Sequence, residues 1–176
     1  MQKSKVKIMC LSAVMAAIYV ALDFLAVAVS SPFGGTMKIS ISGLPVIIVS
    51  VLCGPLWGMA TGFVGAFIGQ LVTFGLAPTT LLWVLPAVVR GLSMGLLFLA
   101  FKKSINRLYL GISTIISSML VTAINTAVLY LDSKIYGYGV ALFGISLVNR
   151  IVIAIFTAIL FTIVLPPIIK ILKDKI

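Results

Sequence analysis

Six apolar stretches, each nearly free of charge, constrain this 176-residue chain more than any other feature. They run over residues 7–29, 44–53, 56–75, 79–101, 108–131 and 147–171. A helix needs about 20 apolar residues to cross the hydrocarbon core of a bilayer, and all but the second run reach that length. Backbone in hydrocarbon must be hydrogen-bonded internally, within a helix or a closed barrel. These runs are too continuous for barrel strands, which alternate in polarity. The second run is short and ends at Gly54-Pro55; it is a re-entrant piece or the end of a helix that begins within residues 39–43. The expectation is an all-α membrane protein of six transmembrane helices, forming one integral membrane domain over residues 1–176.

Charge decides the orientation. Charged residues make up 9% of the chain and apolar residues 62%, against roughly 25% and 45–50% in a soluble domain. So few charges cannot cover so much apolar surface in water. That excludes a soluble globular protein, a disordered chain and a nucleic-acid-binding module, despite a net charge of +10. The basic residues sit in short clusters between the runs. With six crossings, Lys3, Lys5, Lys7, Lys102, Lys103, Arg107, Lys170, Lys173 and Lys175 all fall on one side, which the positive-inside rule makes cytoplasmic. Only Lys38 and Lys134 fall in the opposite loops. Both termini are therefore expected in the cytoplasm. Ala26-Val27-Ala28 mimics a signal-peptide cleavage site, but the apolar run before it is longer than a signal core and carries Asp23.

Catalytic equipment is missing. The chain has no His, three acids and two cysteines, Cys10 and Cys53. No metal site, disulfide framework or acid–base pair can be assembled from that set, so an enzyme is not expected. Nor is there an inverted repeat of the kind that builds a self-sufficient transporter. Uphill transport by such a chain would draw its energy from a partner.

Polar side chains at membrane depth are costly and mark function by default. Asp23, Gln70, Asn125, Asn149 and Arg150 fall in the outer part of their runs, and Arg90 lies near the middle of the fourth. This one-sided clustering points to a polar cavity open to the outside and sealed beneath by apolar helix. Asp132 closes the fifth run, where a purely structural role is expected. Arg90 is too deep to reach the headgroups and needs a carboxylate, phosphate, carbonyl or π-face; Asp23 is the acid available to neutralise it in an empty site. Tyr19, Phe24, Phe33, Phe74 and Trp83 lie at similar outer depths and suit a planar ligand, with an interfacial belt as the alternative for Phe74 and Trp83. Trp83 precedes Arg90 by two turns, so both can face one cavity. A small homo-oligomeric channel is the competing class, but a pore needs polar residues at both depths.

Small residues recur every four positions at Ala13, Ala17 and Ala21, and again at Gly54, Gly58, Gly62 and Ala66. Such stripes let a second helix approach closely. Internal packing is the expected use on the third run; on the first, internal packing and an external surface are both open.

Two stretches resemble a known family. Lys38-Ile39-Ser40-Ile41-Ser42-Gly43-Leu44-Pro45 is followed by Cys53-Gly54-Pro55-Leu56-Trp57-Gly58, and later by Leu85-Pro86-Ala87-Val88-Val89-Arg90-Gly91-Leu92. In this order they are similar to the folate branch of the substrate-binding S components of energy-coupling-factor (ECF) vitamin transporters. The resemblance covers nearly the whole chain. It implies high-affinity vitamin binding from outside, docking through Ala13, Ala17 and Ala21 on a transmembrane coupling subunit, and two cytosolic ATPases as further partners. It also implies toppling in the membrane to release the cargo, no covalently bound cofactor, and ATP use by the partner subunits. By motif position, Arg90 corresponds to the family's fourth-helix Arg and Asn149 to a polar sixth-helix contact. The candidate substrate-binding set is Asp23, Lys38, Gln70, Trp83, Arg90, Asn125, Asn149 and Arg150. This chain departs from the family where Asp23 replaces the usual first-helix Arg, and where Gly69-Gln70 replaces a third-helix acid. Folate or a related pterin is the expected cargo; thiamine, pantothenate and pyridoxine are the rivals.

Overall fold

The computed structural model describes residues 5–30, 36–102, 104–137 and 141–173. It contains six helices and one short hairpin: α1 (Lys5–Phe24), β1 (Val27–Ser30), β2 (Thr36–Ile39), α2 (Gly43–Cys53), α3 (Pro55–Phe74), α4 (Thr80–Ala100), α5 (Arg107–Tyr136) and α6 (Ala141–Lys173). Five of the helices are long and apolar enough to cross a membrane, and α2 has 11 residues. The chain is a multi-pass membrane protein with the expected all-helical body.

Helix ends follow local chemistry. Gly54 takes φ +104°, a conformation open to glycine, and Pro55 opens α3 where a missing N–H costs nothing. Asn106 caps α5 by accepting the Leu108 N–H at 3.1 Å. Gly137 closes α5 in the left-handed region, its N–H bonded to the Ser133 carbonyl.

Three boundaries differ from expectation. Helix α5 runs to Tyr136, five residues past its apolar run, before Gly137 ends it. The first helix stops at Phe24 rather than near residue 29, because residues 27–30 pair antiparallel with 36–39, in register Val27↔Ile39 to Ser30↔Thr36. The hairpin satisfies the backbone there, and β2 lies against α6. The last helix begins at Ala141, before the apolar run, so Asn149 and Arg150 sit more than two turns inside it rather than at its tip.

The α3 stripe is internal, as expected. A Cβ on Gly62 would lie 2.5 Å from the Ala87 carbonyl oxygen, and Gly58 and Gly91 face one another across the same seam. Backbone therefore packs on backbone between α3 and α4. Ser50 Oγ lies 2.8 Å from the Gly91 carbonyl, tying α2 to α4, and Ser93 and Ser117 hydroxyls at 2.8 Å tie α4 to α5.

One end of the bundle is solid. Ile47, Ile48, Val51, Met94, Phe98, Leu110, Phe161, Leu165 and Ile169 form a buried apolar cluster from α2, α4, α5 and α6. Asp23 sits at the other end, whereas Pro55 packs on Gly95 toward the solid one. The chain thus traverses the bundle between α1 and α3. At 1.5 Å per residue α2 covers about 16 Å, roughly half of a 30 Å hydrocarbon core. The stretch 40–42 carries the chain down to it.

Candidate functional site

Because α2 begins halfway down, the space above its first turn is not filled by helix. A cavity of about 430 Å³ occupies it. Asp23 from α1, Gln70 from α3, Trp83 and Arg90 from α4, Asn125 from α5, and Asn149 and Arg150 from α6 all line this one cavity. Seven of the eight candidate residues are thereby brought together. The eighth, Lys38, lies in β2, and its side chain is outside the described ones.

Arg90 forms the base. Its guanidinium lies against Gly43, the first residue of α2; a Cβ there would collide with Nη1 and lie 2.8 Å from Cζ. Glycine is required at this position for space rather than for dihedral freedom. A helix N-terminus is itself electropositive, so two positive features meet at the base and favour an electron-rich group above them. Tyr19 of α1 lines the same cavity, near enough to both Arg90 and Asp23 to interact with each.

Asp23 differs from expectation. Among the described residues no ion pair joins it to Arg90. Its Oδ1 instead accepts from Ser42 Oγ at 3.3 Å, and Ser40 Oγ donates to Ser42 Oγ at 2.8 Å. Ser40 Oγ is also 3.5 Å from Asp23 Oδ1, and accepts the Ser42 N–H at 3.1 Å. The carboxylate thus pins the lead-in of α2 to the end of α1.

The upper wall is a second cluster. The Trp83 indole N–H donates to Asp132 Oδ1 at 3.3 Å, and the Arg150 guanidinium carbon sits 5.8 Å from the Trp83 ring centre. Asp132 therefore orients a cavity residue, a role that its place at the end of a run did not reveal. The aromatic expectation holds for Tyr19 and Trp83 but not for Phe24 and Phe74, which are 56% and 70% exposed and lie outside the cavity. Both face outward, where apolar surface meets lipid at no cost. Phe33 is outside the described residues.

Sequence reasoning missed the hydroxyls. Ser118 and Thr122 of α5 and Thr157 of α6 also line the cavity. The Thr122 hydroxyl donates to the Ser118 carbonyl one turn back, at 2.9 Å, so it blends into an apolar helix. Their only signal is helical spacing: Ser118 and Thr122 precede Asn125 by seven and three residues, and Thr157 follows Asn149 by eight.

Ala13, Ala17 and Ala21 are exposed, while Ser12 and Ala16 are the buried residues of α1. At about 100° per residue, the alanine stripe lies on the far side of α1 from Tyr19 and Asp23. It is an outward surface and not internal packing.

The comparisons with known proteins agree with this architecture. A search of curated proteins gives no match. Two solved structures are similar across almost their full lengths. The S component of a bacterial ECF transporter has a TM-score of 0.70 and 18% identity, covering 97% of this chain and 99% of its own. ThiT from Listeria monocytogenes has a TM-score of 0.70 and 19% identity, covering 94% of each chain. At these identities the likeness is one of fold. The family model described as "ECF transporter, substrate-specific component" matches residues 7–169, and on that match the chain belongs to the family of substrate-specific S components of ECF transporters.

Proposed function

We propose that this chain captures a folate or a related pterin from outside the cell and presents it to an ECF module for uptake. As an S component it is a vitamin-binding transport subunit and not an enzyme. The observation that carries the finer reading is the convergence of seven polar or aromatic candidates on one cavity whose base is Arg90. Its volume lies within the range of small-molecule sites, about 300–1,000 Å³. Gln70, Asn125 and Asn149 offer donors and acceptors at once, which matches the mixed edge of a pterin. Arg90 over the positive end of α2 favours an electron-rich group at the base, and a second cation, Arg150, stands at the wall. Two cations and an Asp23 already engaged by serines suit an acidic vitamin better than cationic thiamine. A channel is disfavoured by the apolar cluster that fills the opposite end.

In this reading both termini are cytoplasmic, and ATP is consumed by two cytosolic ATPases that act through a transmembrane coupling subunit. That subunit docks on the exposed stripe Ala13, Ala17 and Ala21. Purification without added vitamin, followed by denaturation and mass spectrometry of the supernatant, tests the cargo. A released folate is the expected result, and titration with folic acid and with thiamine then measures each affinity. Retention of thiamine, or tighter binding of it, overturns the folate reading.

A further inference from the structure

The cavity carries its two guanidinium groups at different levels. Arg90 lies at the base beside Gly43. Arg150 sits over Trp83, which precedes Arg90 by seven residues on α4. At 1.5 Å per residue the Cα atoms of Trp83 and Arg90 are about 10 Å apart along α4. Trp83 is fixed from α5 through its N–H bond to Asp132. The ring therefore has a support besides Arg150, and Arg150 covers a ring that lines the cavity.

Arg150 itself lines the cavity beside this ring. Charge-assisted hydrogen bonds to a carboxylate are roughly twice as strong as neutral ones, and a guanidinium can make two in parallel. An anionic group at the upper level would accept such bonds from Arg150 beside the Trp83 face. We propose that Arg150 is a specificity-determining residue, selecting ligands that carry an anionic tail about two helical turns from the end seated on Arg90. This rests on the folate reading, since a folate has a ring system at one end and a dicarboxylate tail at the other.

The probes are folic acid and its dimethyl ester, which keeps the shape and removes the tail charge. Isothermal titration of the full-length protein in detergent is expected to show at least a tenfold preference for the acid. Arg150→Gln is expected to erase that preference by weakening the acid and leaving the ester within threefold. Arg150→Lys keeps the charge and should retain part of it. With Trp57→Phe, Trp83 is the one remaining tryptophan; in the ligand-free protein Arg150→Gln should raise its quenching by acrylamide. Equal binding of acid and ester by the wild type, or equal weakening of both by Arg150→Gln, overturns the inference while folate binding stands. Binding of neither probe by the wild type overturns the folate reading and this inference with it. The wild-type acid-to-ester ratio decides the matter even if a variant does not fold.

Discussion

The Arg90 guanidinium occupies the space that a side chain on Gly43 would fill. Two distant motifs, one opening α2 and one in the middle of α4, are thereby a single site. A guanidinium at mid-membrane costs at least about 2.5–3.5 kcal/mol on insertion scales. The cavity offsets that cost by giving it polar surroundings, and Gly43 keeps the position open.

Gly43→Ala should push the guanidinium away from the base without unfolding the chain, because the flexible end of a side chain can yield. Ligand affinity is expected to fall about tenfold, or about 1.4 kcal/mol. In an Arg90→Ala background the same substitution should have almost no further effect. A double-mutant cycle by isothermal titration measures this coupling; additive losses would separate Gly43 from Arg90.

Arg90→Ala should weaken vitamin binding by about 10- to 100-fold, since hydrogen bonds to charged groups contribute roughly 1.5–3 kcal/mol. Arg90→Lys should not restore it, because an ammonium lacks the planar fork. Titration of the well-folded variants is the check. Wild-type affinity in Arg90→Ala would assign this Arg a structural role.

Ala13→Trp or Ala17→Trp should abolish uptake and co-purification with the coupling subunit. Vitamin binding by the isolated protein should stay within about threefold, because the stripe faces away from Tyr19 and Asp23. Cys10 is exposed one turn earlier on the same face, so its alkylation by N-ethylmaleimide should slow in the assembled transporter. Simultaneous loss of binding and docking would make the stripe a folding element.

Topology can be read at the two ends of α5. Asn106 and Gly137 cap that helix, so the exposed neighbours Arg107 and Lys134 are better labelling sites. In a background with Cys10→Ser and Cys53→Ser, Arg107→Cys should react only from the cytoplasm and Lys134→Cys only from outside. Labelling of both from one side contradicts the six-helix orientation.

Hydropathy along the chain was enough to place the helices. The observed ends of α2, α3 and α4 fall within one residue of the apolar runs. Gly54-Pro55 marked the α2–α3 break because those two residues restrict the backbone locally. The gathering of Asp23, Gln70, Asn149 and Arg150 at one end of the bundle was legible too, since a polar residue in a membrane helix is rare enough to be read singly. Tertiary structure decided which way each side chain points. In a soluble helix the polar face shows the outside; in lipid the inside and the outside of the bundle are both apolar, so that signal vanishes. The pattern alone could not tell Phe74, which faces outward, from Trp83, which lines the cavity, nor show that the alanine stripe is exposed. It also could not show that Asp23 holds Ser42, or that Asp132 holds Trp83. Those pairs are 19 and 49 residues apart in sequence, and the space above the short α2, which begins at mid-depth, exists only in the folded bundle.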